Sequence, residues 1–189
     1  TLLVSPRAPI CILEPTDADP RLPLDLLSPD TRTLGVMLPT SPLHELLFRP
    51  GPDDPVPPLE LLVMTSGNRR GEPICLTNAE ARERLGDIAD FLLLHDREIN
   101  LRCDDSVVAM NAGAPQVWRR ARGFAPEAVR LPRPLRRPVL AMGSELKNAF
   151  AVAEGHDAFL SPHVGDLDTP EAREGLEFAV DRLPQFLDI

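Results

Sequence analysis

The stretch Met64-Thr65-Ser66-Gly67-Asn68-Arg69-Arg70-Gly71-Glu72-Pro73 sets hydroxyls, a carboxamide and two glycines directly after an apolar run. Hydroxyl and amide donors beside unpaired backbone N–H groups make a concavity suited to an anion such as phosphate. Gly67 and Gly71 can take positive φ and leave the backbone open to close approach. Taken alone, the same residues read as readily as an ordinary strand-to-helix loop in which Asn or Thr caps the next element.

Two further polar clusters give the first one company. Cys103-Asp104-Asp105-Ser106-Val107-Val108 and Arg119-Arg120-Ala121-Arg122-Gly123-Phe124-Ala125-Pro126 each stand where an apolar or alternating run begins or ends. The planar fork of arginine matches phosphate oxygens, and Gly123 keeps backbone accessible beside Arg122. A solvated basic patch is the alternative for Arg119, Arg120 and Arg122.

The elements that hold these clusters emerge from periodicity. Leu59 to Met64 reads as a buried strand that delivers Thr65, Ser66 and Asn68 at its end. Ile10 to Leu13 and Leu34 to Met37 are predicted strands, and Leu43 to Phe48 a short helix whose His44 either faces a pocket or packs. Thr77 and Glu80 have capping-box spacing ahead of a helix over Ala79 to Leu85. Phe91 to Leu94 and Ser106 to Met110 are apolar strands, the latter paired with Val117 to Arg120 across the Asn111-Ala112-Gly113 turn. Prolines and charges over Arg130 to Pro138 argue for a linker. Beyond it, Val139 onward and Ala149 to Ala153 read as a hairpin, and Thr169-Pro170 opens a helix with Leu176, Val180 and Leu183 on one face.

Composition sets bounds. The 189 residues are 43% apolar, enough for a core in one domain or one and a half. With Trp118, seven Phe and no Tyr, the cores are expected to be aliphatic. The 22 prolines gather at Pro50 to Pro58 and Pro132 to Pro138, in loops and linker. A net charge of −9 disfavours general nucleic-acid or anionic-membrane binding, so neither DNA nor a membrane is expected as partner. No apolar run reaches the ~20 residues of a transmembrane helix, and the first residues lack a signal-peptide pattern. Cys11, Cys75 and Cys103 stand far apart, which argues against a disulfide framework or zinc knuckle and for a reducing cytoplasm.

The order and spacing of the motifs resemble one family, the HypF-type carbamoyltransferases of nickel-iron hydrogenase maturation, and first their YrdC-like domain. The family runs approximately Thr-Ser-Gly-Asn-x-Ser-Gly-Glu-Pro, Ala-Asp-x-Phe-Leu-x-His-Asp-Arg-x-Ile, Arg-x-Asp-Asp-Ser-Val and Arg-Arg-x-Arg-Gly-Tyr-Ala-Pro. This chain has Thr65 to Pro73, Ala89 to Ile99, Arg102 to Val107 and Arg119 to Pro126, with Leu34 to His44 similar to a further family segment upstream. Arg70 replaces a usual serine and Phe124 a tyrosine. After the linker, Gly143-Ser144-Glu145-Leu146-Lys147-Asn148 and Ser161-Pro162-His163-Val164-Gly165-Asp166-Leu167 resemble the opening of the family's carbamoyl-transfer domain.

The resemblance implies an α/β chain: a YrdC-like twisted mixed sheet with helices over 1–129, a linker at 130–138, and from 139 the first strands and helix of an actin-like ATPase (ASKHA) type domain. It implies nucleotide and phosphate contacts from Thr65, Ser66, Asn68, Asp105, Ser106, Arg120, Arg122, Lys147 and Asn148, and a transfer role for His163. Alternatives remain at single positions: His163 as a hydrogen-bonded loop residue, Lys147 as a surface lysine on a tight turn. Asp104 and Asp105 would orient Arg or Mg²⁺, or cap an element. ATP, Mg²⁺ and carbamoyl phosphate are the implied ligands and a cysteine-bearing, HypE-like maturation protein the implied partner. Full-length members are expected to use zinc or iron through ligands outside this chain. Both ends of the family's catalytic domains are expected to lie beyond it too, leaving these residues weakly active on their own. A binding-only fragment, or a tRNA-threonylcarbamoyladenylate synthase on the same YrdC-like fold, are the competing readings; the Glu145-Leu146-Lys147-Asn148 segment speaks against the synthase.

Overall fold

The computed structural model describes residues 2–16, 22–53, 55 and 57–189. Their contacts form two units, one of residues 1–65 with 105–119 and one of 66–104 with 120–189. Asp54 and Val56, within the stretch from Pro50 to Pro58, fall outside the described residues.

The first unit is built on a four-stranded sheet. Strands β1 (Ile10–Leu13), β2 (Leu34–Val36), β3 (Val107–Asn111) and β4 (Ala114–Arg119) lie in the order β2-β1-β3-β4. The pair β1–β3 is parallel, with Cys11 opposite Val108, while β1–β2 and β3–β4 are antiparallel. The β3–β4 turn is Ala112-Gly113, both at positive φ, the geometry whose twist suits a two-residue hairpin. Val108, Ala109 and Cys11 are buried at the centre of the sheet. Two short helices, α1 (Leu24–Leu27) and α2 (Pro42–Phe48), connect the strands. Ser41 caps α2 by accepting from His44 N at 3.3 Å. The His44 ring takes a local role, its Nδ1 3.2 Å from Thr40 Oγ1.

The second unit joins helix α3 (Asn78–Leu85), strands β5 (Ala128–Arg130), β6 (Val139–Ala141), β7 (Ala151–Glu154) and β8 (Asp157–Leu160), and helix α4 (Pro170–Leu187). The strands are all antiparallel, in the order β5-β8-β7-β6. At α3 the capping box is complete: Glu80 N donates to Thr77 Oγ1 at 3.1 Å, and Thr77 N donates to Glu80 Oε2 at 3.2 Å. Thr169 caps α4 and Pro170 sits in its first turn, where a missing N–H costs nothing. Leu183 has no exposed surface and packs with Phe150 and Val152, flanked by Leu176 and Val180 of the same helix face. That stripe is the helical period read from the sequence.

Three expectations need correcting. Leu59 to Met64 is not a strand; Leu61, Val63 and Met64 are more than half exposed. Phe91 to Leu94 is not one either, with Phe91 93% exposed. Both segments are apolar enough for strands, but no neighbouring strand among the described residues takes up their backbone N–H and C=O groups, and a strand is defined by that pairing. The aliphatic core is the third, since Phe150 lies at the heart of the second unit and Phe124 is also buried. The prolines at 131–138 do leave that stretch without helix or strand, although Arg130 before it belongs to β5. Leu131 N and Leu135 N still bond His156 O and Gly155 O, at 2.7 Å each, so the stretch is tied to the β7–β8 turn.

Leu183→Ala removes a side chain with no exposed surface and leaves a cavity in this core. The expected cost is about 2–5 kcal/mol, read as a lower urea midpoint at unchanged slope.

Candidate functional site

Residues 66–75 fold into a turn closed by its own groups. Asn68 N donates to Ser66 O, Glu72 N to Arg69 O and Cys75 N to Gly67 O, at 3.0–3.1 Å. The Asn68 carboxamide works inside the turn as well, its Nδ2 donating to Arg69 O at 3.0 Å and Glu72 O at 2.8 Å. Two carbonyl acceptors fix which end of the amide is nitrogen, and leave Oδ1 buried without a hydrogen-bond partner. Gly71 takes φ of +81°, a conformation that a Cβ would strain. Arg69 is held away from the turn's interior, by Asp87 and by Arg84 O at 2.8 Å.

Beside this turn three chain segments are knitted by their backbones. Arg122 N donates to Asp104 O at 2.9 Å, and His163 N donates to Arg120 O at 3.1 Å. The His163 segment is anchored at its start by Ser161, whose buried Oγ accepts from Phe150 N at 3.0 Å and donates to Pro162 O at 2.8 Å. The result is a cavity of about 180 Å³ lined by Ser66, Asn68, Glu72, Arg102, Asp104 and His163, among others. Sites that enclose a whole small molecule usually run to ~300–1,000 Å³, so this space suits a phosphate- or carbamoyl-sized group.

Arg102 supplies the positive charge on that wall. Its Nε donates to Ile74 O at 2.6 Å, its Nη2 lies 3.6 Å from Glu80 Oε1, and its guanidinium stands 5.9 Å from the Phe178 ring centroid. Burial pushes its pKa down, with Glu80 working against that. For Glu80, burial favours the neutral acid, but the N–H groups of Leu76 and Thr77 together with Arg102 outweigh it and hold the carboxyl below its usual range.

The structure thus brings Ser66, Asn68 and His163 together on one cavity. Arg120 and Arg122 frame it through their backbones, and Arg120 sends Nη2 to Glu127 O at 2.8 Å. Lys147 and Asn148 sit on the β6–β7 connection, outside the residues that line this cavity. Lys147, at φ of +51°, donates its backbone N–H to Asp166 Oδ1 at 2.7 Å and its ammonium to Oδ2 at 2.9 Å. Asn148, 1% exposed, donates Nδ2 to Ser144 O at 2.7 Å and pairs through its backbone with Val164 and Gly165. Gly143 is required in that connection, because a Cβ there would collide with the carbonyl oxygen of Ala149. Thr65, Asp105 and Ser106 lie in the first unit, where Ser106 is fully buried and its carbonyl accepts from Ile10 N at 2.8 Å. Glu72 and Arg102 are site residues that sequence reasoning does not single out, although both stand within the family motifs. Among the described residues no three His, Cys, Asp or Glu side chains converge to hold a metal ion, and no helix is long and apolar enough to cross a membrane.

Comparison with known proteins assigns the two halves of the chain. Residues 2–121 match the Sua5/YciO/YrdC family model, described as telomere recombination, and residues 134–189 match the HypF Kae1-like domain. The chain belongs to the HypF family. It is 40% identical over 187 residues to carbamoyltransferase HypF of Synechocystis and 46% identical over 173 residues to carbamoyltransferase HypF2 of Cupriavidus necator, covering 99% and 86% of this chain. It spans about a quarter of the length of these relatives, 23% and 21%. A crystal structure of full-length HypF in a phosphate- and nucleotide-bound form superposes with a TM-score of 0.86 at 40% identity, over all of this chain and 28% of that one. HypF of T. kodakarensis gives 0.84 at 37% identity, over 97% of this chain and 23% of its own. The fold is that of a YrdC-like domain running into the start of a Kae1-like domain.

The Lys147–Asp166 contact yields a pH prediction. The backbone N–H of Lys147, then its ammonium, hold the Asp166 carboxyl below the usual aspartate range, so the contact is present above the unfolded pKa and is lost as pH falls through the lower folded one. A carbon-13 NMR titration of the Asp166 carboxyl should give a midpoint below ~3.9. Lys147→Met should raise that midpoint only part of the way, since the backbone donor survives; full return to the unperturbed value would refute the assignment.

Proposed function

We propose that this chain is the part of a HypF-type carbamoyltransferase that receives the phosphate end of ATP and hands the activated carbamoyl group onward. The observation that carries it is the meeting of the Ser66–Asn68 turn with His163 on one cavity, in a chain of this family. In the reaction proposed for the whole protein, carbamate released from carbamoyl phosphate attacks the α-phosphorus of ATP. Carbamoyl adenylate and pyrophosphate result. The carbamoyl group then moves to the C-terminal cysteine thiolate of a HypE-like maturation partner, as precursor of a cyanide ligand.

This chain's residues would contribute position and charge rather than a covalent nucleophile. The Ser66 hydroxyl and the backbone N–H groups of the 66–72 turn are donors for phosphate oxygens, and the fixed Arg102 guanidinium supplies positive charge that need not reorganise as charge develops. Mg²⁺, when bound, would neutralise phosphate charge, with Asp104 the carboxylate on the cavity wall. His163, oriented by its backbone bond to Arg120 O, is placed to donate to or accept from the carbamoyl group as it leaves the adenylate. The synthase alternative loses support from the match of residues 134–189 to the HypF Kae1-like domain.

The test is carbamoyl-phosphate-dependent exchange of pyrophosphate into ATP by a full-length protein carrying this sequence. Ser66→Ala is expected to lower exchange by about tenfold to a hundredfold, as for a lost hydrogen bond to a charged group. His163→Ala should spare exchange and abolish transfer to the thiol. Exchange unaffected by Ser66→Ala, or abolished by His163→Ala, would overturn these roles.

A further inference from the structure

Thr169 does two things with one hydroxyl. Its Oγ1 accepts from Ala172 N at 3.1 Å, capping α4, and donates to Gly71 O at 3.0 Å, across 98 residues of sequence. Capping needs only an acceptor. The donor is directed at the one residue of the 66–75 turn that has positive φ and whose carbonyl none of the turn's own bonds engages.

Further along α4 the contact continues. Gly175 is buried, and a Cβ there would lie 3.6 Å from Pro73 Cβ and 3.8 Å from Arg102 Nη1. Arg102 holds Ile74 O on one side and faces Phe178 of α4 on the other. The turn is thus closed from inside by the Asn68 carboxamide and held from outside by α4, with Thr169 as the directional bond of the outer contact.

We infer that Thr169 is a positioning residue for the turn that carries Ser66 and Asn68: by fixing the Gly71 carbonyl it sets the shape in which that turn meets a phosphate group. The inference rests on the phosphate-binding reading of the turn. It assigns to the opening of α4, in the Kae1-like part of the chain, a role in nucleotide affinity that residue spacing within either half does not announce.

Three substitutions separate the two roles of the hydroxyl. Thr169→Ser keeps donor and acceptor, Thr169→Asp keeps the acceptor alone, and Thr169→Ala keeps neither. In the full-length protein, amide hydrogen exchange at Glu72 and Cys75 reports on the turn and at Ala172, whose N–H donates to Thr169 Oγ1, on the cap of α4; calorimetric titration with ATP reports affinity. Serine should match wild type in all readouts. Aspartate should keep Ala172 protected while exchange at Glu72 and Cys75 rises, and ATP affinity falls, by about fivefold to tenfold, as for one hydrogen bond lost. Alanine should lose protection at all three amides. Wild-type exchange in the turn of Thr169→Asp overturns the inference while leaving the phosphate-binding reading intact. Absence of ATP binding by the wild-type full-length protein overturns that reading, and the positioning role with it, even where the exchange pattern shows the tie to be real.

Discussion

The second unit depends on one packing contact, that of Leu183 with Phe150 and Val152. Burying a leucine side chain contributes about 1.5–3 kcal/mol, and here it fixes an 18-residue helix against a sheet whose strands are only three or four residues long. Strands that short do not hold together by their ladders alone. Once α4 is seated, its other positions are determined: Thr169 meets Gly71, Gly175 meets Pro73, and Phe178 faces Arg102. The polar arrangement around the cavity is therefore downstream of an apolar contact that contains none of its residues.

Polarity at the cavity obeys a consistent rule. The groups that hold the site in shape are mostly backbone: Asp104 to Arg122, Arg120 to His163, Phe150 to Ser161. Side chains with a donor or a charge to spare, Ser66 and Arg102 among them, are then left on the wall. Asn68 and Asn148 are the exceptions. Each donates its amide nitrogen to local carbonyls and keeps a buried oxygen without a hydrogen-bond partner.

How much of this is legible in the sequence depends on whether a feature is local. The Thr77–Glu80 box, the Thr169-Pro170 helix start and the Ala112-Gly113 turn are determined by neighbours within a few residues and are readable, and the strands at Ile10 and Leu34 are readable from apolar runs that find distant partners. Leu59 to Met64 and Phe91 to Leu94 mislead because apolar content shows what a segment is able to do, whereas a strand also needs a partner. Among the site residues, Ser66, Asn68 and His163 are found through motif order. Arg102 escapes notice because nothing in its own neighbourhood shows that it will sit between Ile74 and Phe178. For Lys147, nothing in its own neighbourhood shows that Asp166, 19 residues away, holds both its N–H and its ammonium.

The boundary between the two matched families falls between residues 121 and 134, yet residues 66–104 share their contacts with 120–189. A recombination event that joined a new partner at that boundary would keep every motif of the YrdC-like half and still strip its 66–75 turn of the helix that grips it. Transplanting the first half into another protein therefore removes residues 66–104 from their contacts with α4 unless that helix is carried along.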